Sequence, residues 1–517
     1  MFALTSAPSK ARSKNEHARA KPRIIDVRLV PAALSVWLAT AMVLARPQLV
    51  VFLVVVTALS AAAGMAHGVP VTITFAGLLT LVQLALLSVN GTVADARHLQ
   101  AAHGELVRIE GVVTASEHVN HSARTTVQVL ALHRGQHLHA PHREISLTVF
   151  TPQILPQAQK VKLTGVLEIQ GSYLRLSSAT AVPLASWSGV ALGKQVQNPI
   201  DRWRNTMRET TRHQVSSILN DDQTALVLGM TYGDDAGMRE KTKTSFQQAG
   251  LTHLTAVSGA NITLMFLLGY RLLQWLRAGR SFCIVAGVTV IIAYVLMVGH
   301  EPSALRALTM GLLGASAMLL GTGRYSLPLL SSAVIISLVA RADYALNFGF
   351  ALSVSATAAL ILLAPALARH MATVLPLVVA EVIAIPVAAG LWCLPLLVLM
   401  VGEIQTYTVL ANVLATPLVA PVTVLGIVIV VLTPGAASPA VSFIVDGCST
   451  AAGALVQLLI NIATATSALP SSSISVEPSV LNIALIFAAV AALSALVIVS
   501  DWRTGARVYL SSNRGQL

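Results

Sequence analysis

Residues 374–400 read VLPLVVAEVIAIPVAAGLWCLPLLVLM, an apolar run interrupted by one ionisable side chain, Glu381. A hydrocarbon core ~30 Å thick needs about 20 such residues in a helix, so this stretch is long enough to cross a bilayer. Comparable runs occupy 251–276, 281–299, 303–320, 326–340, 347–368, 406–432, 440–468 and 479–500, and three more precede them at 30–45, 48–66 and 70–89. The expectation is a polytopic α-helical membrane protein with about twelve spans, the proline-broken ones being the hardest to delimit.

Composition agrees with that reading. Of 517 residues, 55% are apolar and 11% charged, with a mean hydropathy of +0.72. A soluble globular chain carries roughly one-quarter charged residues, so a simple cytosolic enzyme is excluded. Cys283, Cys393 and Cys448 lie far apart in apolar runs and form neither a CxxC metal pattern nor a disulfide framework. The net charge of +12 suits contact with anionic lipid, with nucleic acid, or with both.

Between the early and late apolar runs the texture changes. Leu106 to Val113, Thr125 to Leu130 and Glu144 to Phe150 alternate apolar and polar residues, the signature of half-buried strands. Two further candidates, Lys160 to Leu167 and Tyr173 to Ser177, flank Gln170-Gly171-Ser172. A five-strand antiparallel barrel of the OB type is the economical expectation for this inserted domain. After it, Pro199 to Leu219 reads as an interfacial amphipathic helix, with Arg204, Arg208 and Arg212 in an i, i+4, i+8 stripe.

Charge asymmetry sets the expected orientation. Alternate junctions carry Arg271, Arg277 and Arg280, then Arg324, Arg369, and Arg503, Arg507 and Arg514, whereas the opposite junctions hold His300-Glu301, Arg341-Asp343 and Glu403. The positive-inside rule then places both termini in the cytoplasm of a plasma membrane and the strand-rich domain outside.

Polar groups inside the apolar runs are the candidates for chemistry, because an ionisable group at bilayer depth normally faces water or a partner. Arg306 either snorkels to headgroups or lines a polar path. Glu381 could pair with it across the bundle, and Asp446 carries the same ambiguity. The segment from Gly250 through His253, Ser258 and Asn261 opens a long apolar run with a helix-breaking glycine and several hydrogen-bonding groups. Such a break is tolerated at membrane depth where it is buried in protein or lines a cavity. Small-residue packing through Ser258 and Gly259 is the plainer alternative. A third reading makes Ser258 the nucleophile of an intramembrane serine hydrolase with His253 as base. In the inserted domain His118, His121, His133, His137, His139 and His142 lack a carboxylate at recognisable spacing, so a solvated loop is expected there, with metal binding by His137 and His139 on one strand face as the lesser alternative.

Five ordered blocks carry a resemblance: Ala225 to Asp234, Phe246 to Asn261, Pro302 to Ala307, Asn347 to Ser353, and Asn412 to Pro417. Together they resemble the ComEC family of competence proteins, over residues 95–432. The second block is similar to the family's AGL-x-HLLA-[IV]-SGLH pattern, with Asn261 where that family often has His. The resemblance implies an inner-membrane channel through which one strand of external DNA enters a naturally competent bacterium.

The domain plan is then a basic cytoplasmic tail at 1–29, three N-terminal transmembrane helices at 30–90 and an extracellular OB-like β domain at 95–195. An amphipathic interfacial segment follows at 199–250, then a membrane competence domain at 251–500 and a cytoplasmic tail at 501–517. The expected DNA path comprises His253, Ser258, Asn261, Arg306 and Glu381. The expected strand-binding cations are Arg108, Arg124, Lys160, Lys162, Arg175, Arg204, Arg208 and Arg212, tracking phosphates as single-strand binders do. Aromatics are sparse there, Phe150 and Tyr173 being the main ones.

Many members of that family continue into a metallo-β-lactamase-like domain with an HxHxDH motif, which this sequence lacks. The chain is therefore expected to be non-enzymatic and without cofactor, with single-stranded DNA and membrane lipid as partners. No G-x-x-x-x-G-K-[ST] loop is present either. A DNA receptor outside the membrane, a separate nuclease and a cytoplasmic motor would complete the machinery. A transporter or flippase for a smaller anionic substrate is the rival expectation, using the same Arg306 and Glu381. Oligomeric state stays open in the sequence.

Overall fold

The computed structural model describes residues 27–514, apart from 47–48, 51–52, 56, 58–70, 90–91, 120–121, 135–136, 142–144, 152–159, 171–172, 184–198, 236, 256–258, 300–301 and 320–325. The basic N-terminal tail, most of the 48–66 run and Ser258 lie outside the described residues.

Among the described residues, apolar helices α1 (Val30–Ala45) and α2 (Val71–Val89) come first, with helical residues also at 53–55 between them, and α3 (Thr92–Ala102) leads into the strands. The strands are β1 (Leu106–Val119), β2 (Ser122–Arg134), β3 (His137–His139), β4 (Ile145–Thr151), β5 (Lys160–Gln170) and β6 (Tyr173–Pro183). The five expected strands are all present, and β3 adds a short sixth on the end of β2. Successive pairings β1–β2, β2–β4, β4–β6, β6–β5 and β5–β1 close a ring, antiparallel except for the parallel β4–β6 contact. Alternation explains the closure: Val107, Ile109 and Val113 of β1 meet Val161, Leu163 and Leu167 of β5 in a buried interior, while Arg108 between them is exposed. At Gly111 the register shifts, and the Gln128 carbonyl oxygen lies 2.5 Å from where a Cβ would stand, so only glycine fits this bulge.

The rest is helical. Three helices, α4 (Pro199–Ser216), α5 (Asp221–Tyr232) and α6 (Glu240–Gln248), precede α7 (Gly259–Trp275), α8 (Arg280–Val298), α9 (Pro302–Leu319), α10 (Ser326–Ala340), α11 (Phe348–Leu362) and α12 (Ala364–Met371). Then come α13 (Leu377–Val401), β7 (Glu403–Gln405), α14 (Thr408–Leu432), α15 (Pro439–Ser467), β8 (Ser473–Ser475) and α16 (Val480–Arg514).

Five described helices are long and apolar enough to cross a membrane, namely α8, α13, α14, α15 and the Val480–Asp501 part of α16. Counting the bent pairs α2–α3 (65°) and α11–α12 (44°) as single spans gives seven. α1, Ala304–Ser316 of α9, and α10 are shorter apolar helices. Pro386 and Pro395 sit inside α13, and Pro417 and Pro421 inside α14, as packed membrane helices tolerate. The chain is thus a membrane protein.

The largest core joins α5, α7, α8, α14 and α15. A second joins α1, α10 and α11 around Phe350. α5 stands out because it is buried from Thr224 to Tyr232 without an exposed face. Its ends are fixed locally, by the Asn220–Gln223 capping box and by Gly233 in the left-handed region at φ 84°.

Candidate functional site

The site forms where α6 gives way to α7. Gly250 ends α6 at φ +70°, and the Thr408 side chain of α14 occupies the place its Cβ would take. A short 3-10 turn at Thr252–Leu254 follows, and α7 is described from Gly259 on. The expected break is therefore real, and α5 is pressed against it: the Thr255 carbonyl oxygen would lie 2.5 Å from a Cβ at Gly229. Thr255 Oγ1 also donates to Asp235 Oδ2 at 3.3 Å.

Buried α5 leaves its last carbonyls without intrahelical partners, and three side chains satisfy them. Asn261 Nδ2 donates to the Met230 oxygen at 3.0 Å, and the Tyr294 hydroxyl to the Thr231 oxygen at 2.7 Å. Arg208 Nη2 reaches the Tyr232 oxygen at 3.2 Å together with the Met297 and Val298 oxygens at 3.2 and 2.8 Å, closing the end of α8 as well. Asn261 is itself buried and braces α7 against α5. His253 lies in the 3-10 turn of the break and is exposed.

Arg306 sits one turn into α9 and is 5% exposed. Its Nε and Nη2 donate to Ser353 Oγ of α11 at 3.0 and 2.5 Å, and Nη1 approaches Met310 Sδ at 3.4 Å. Nη2 also lies 3.3 Å from where a Cβ at Gly259 would stand, so the guanidinium abuts the first residue of α7. The expected pairing with Glu381 is not formed. Ala380, Ala384 and Ala388 take the packed face of α13, which rotates Glu381 to an exposed side. Asp446 is engaged elsewhere, accepting from Gln214 at 3.1 Å and from Ser442 at 3.3 Å.

The arginine stripe of α4 is half-buried and turned toward the bundle. Arg212 pairs with Asp234 at 2.7 Å, and Arg204 lies beside Gly299. On the barrel, Arg108 and Lys160 are exposed, and Lys162 meets Glu110 at 3.3 Å on the outer face of the β1–β5 pair. Arg124 stands opposite Phe150, and Arg175 opposite Glu168, in register. Arg134 forms a two-pronged pair with Glu105, whose carboxyl it holds below the ordinary range. Ser353 and Tyr294 are contributors the sequence did not single out. Ser353 was legible in principle, as a hydroxyl in an apolar helix.

The competence protein family model matches residues 230–502. The chain belongs to this family. The match begins inside α5 and runs into α16, so it takes in the break, Arg306 and Ser353, and leaves the strand ring outside. For a competence protein the family points to a role in DNA uptake during transformation. No curated protein and no solved structure matches the chain.

Proposed function

We propose that this competence protein is the membrane channel for uptake of single-stranded DNA. The single observation that carries the reading is the break that Gly250 opens, packed through Leu251, Leu254 and Ile262 into the largest core of the family-matched bundle. We read this non-helical turn as lying at membrane depth, where irregular backbone is tolerated against protein or a water-filled cavity, and the exposed His253 as facing such a cavity.

The third and fifth long strands of the ring pair in parallel, which supports reading it as an OB-type barrel, and we assign it to strand capture outside the membrane. Arg108, Lys160 and Lys162 supply cations on one outer face, and the partly exposed Phe150 supplies a stacking surface. Both termini are assigned to the cytoplasm on the positive-inside rule. The chain conducts and does no chemistry, so a separate nuclease, a DNA receptor and a motor act beside it.

The test is uptake of labelled duplex by cells in which the chain is deleted and then restored. Nuclease-protected single strand should vanish on deletion and return on complementation. Normal uptake without the chain would refute the reading. Carriage of a smaller anion draws on the same Arg306, and loss of small-anion import with DNA uptake intact would favour it instead.

A further inference from the structure

The hairpin of α7 and α8 turns at residues 276–279, and its tip carries two kinds of exposed side chain. Arg271 and Arg277 are exposed, and so are Leu272, Trp275, Leu276 and Phe282, with Trp275 at 80%. Arg271 and Trp275 stand one turn apart on the same face of α7. No Asp or Glu occurs between Glu240 and Glu301, and among the described residues neither arginine makes an ion pair. The tip is a positive patch set in apolar surface.

The backbone adds an independent observation. The Arg277 N–H donates to the Gln274 oxygen and the Ala278 N–H to the Leu273 oxygen, both at 3.0 Å, the two bonds that end a helix in a Schellman turn. The residue at that turn takes the left-handed conformation, and Arg277 does so at φ 59°. Glycine fits there without strain, because a Cβ crowds the following carbonyl oxygen. The turn itself needs no side chain, yet it presents a guanidinium at the exposed tip of the hairpin. Strain kept at a surface position points to a use for the side chain.

The start of α8 fixes the depth of the tip. This helix is long and apolar enough to cross a membrane and begins at Arg280, so the residues just before it lie where headgroups begin. At that level aromatic rings rest at the boundary of the acyl chains, and long cationic side chains reach out to phosphate. Two arginines with no acid nearby carry a charge that a zwitterionic headgroup leaves unbalanced and an anionic one neutralises. We propose that Arg271 and Arg277, with Trp275 and Phe282 at the same tip, form a binding site for an anionic phospholipid. Each guanidinium offers a planar pair of N–H donors to phosphate oxygens. The bound lipid anchors the end of α7 opposite Asn261, which braces this helix against α5.

The test is lipid binding by the full chain in zwitterionic detergent, titrated with phosphatidylglycerol or with phosphatidylcholine. Bound lipid is counted by native mass spectrometry and the thermal midpoint is read in parallel. The unmodified chain should retain phosphatidylglycerol several-fold over phosphatidylcholine and be stabilised by it. Arg271→Ala combined with Arg277→Gly should abolish that preference. Arg277→Gly alone should reduce it and, because glycine relieves the turn, leave the lipid-free midpoint unchanged or higher. A preference that survives in the double variant would overturn the site. A lower lipid-free midpoint in Arg277→Gly would mean that the side chain packs against protein, and would overturn it too. Inorganic phosphate or an oligothymidylate that raises the midpoint as much as phosphatidylglycerol, at matched phosphate concentration and ionic strength, would assign the arginines to a soluble phosphate and contradict the proposal.

Discussion

Asp222 shows how one residue can hold a loop. Its buried carboxylate accepts from the Arg239 backbone N–H at 2.8 Å, from Arg239 Nε and Nη2 at 2.8 and 2.5 Å, and from Thr242 Oγ1 at 2.6 Å. Burial pushes its pKa up, but the hydrogen bonds from Arg239 and Thr242 outweigh this and hold it below the ordinary carboxylate value. A depressed folded-state pKa stabilises the fold above the unfolded pKa of ~3.9, and the contribution disappears as pH falls through the folded value. Asp222→Asn should therefore cost about 2 kcal/mol at neutral pH. Thermal unfolding in detergent should show that gap narrowing below pH ~4. A constant gap across the acid range would mean that the carboxylate charge contributes nothing. At this scale the sequence was partly legible. Arg306 stood out because a charge in an apolar run is expensive, but its partner was misjudged: α13 is apolar all round, and hydropathy cannot say which way Glu381 turns. Arg208 read as a surface cation, because the carbonyls it satisfies become orphans only once α5 and α8 end beside it.

Between elements, contact is set by glycines. α5 approaches the break through Gly229 and approaches α14 through Gly426, where Thr231 fills the space of a Cβ. Gly229→Ala would drive a methyl against the Thr255 carbonyl, and overpacking of this kind costs about 1–3 kcal/mol. Uptake should fall with it, since the break moves with α5, and the two effects are read by thermal unfolding and by nuclease-protected label. Gly390 has nothing within 4 Å of an added Cβ, so Gly390→Ala should leave both unchanged. The strands were readable element by element because period-two alternation is a local signal; β3 escaped notice as a pairing because three residues carry too little pattern. The helix count was less readable, since α1 and α10 fill their apolar runs yet are short apolar helices of 16 and 15 residues, and the first turn of the 251–276 run is not α-helical.

For the whole molecule, the proposed function divides the labour between the strand ring, for capture, and the family-matched bundle, for passage. Replacing Arg108, Lys160 and Lys162 together by alanine removes cations from one outer face of the ring without touching its buried interior. Strand binding by the full chain should weaken and lose salt dependence by up to ~2 in slope, about 0.7 per lost contact. An unchanged slope would move capture to another face. α16 should be indifferent to such changes: its Val480–Asp501 span is only 6% buried, tied to its neighbours by the Trp392–Ser494 hydrogen bond and the Arg369–Asp501 pair.

The central claim is that a DNA strand passes the break between α6 and α7 inside the bundle. Photo-cross-linking tests it most directly, with a probe side chain at position 253 in cells taking up labelled DNA whose trailing end is blocked by a bulky group. A control probe belongs at position 443, where Phe443 is 80% exposed on the outside of α15. The account predicts adducts to single-stranded DNA at 253 and none at 443, with uptake of unblocked DNA retained in both. Retained uptake with no adduct at 253, or equal adducts at the two positions, would contradict it.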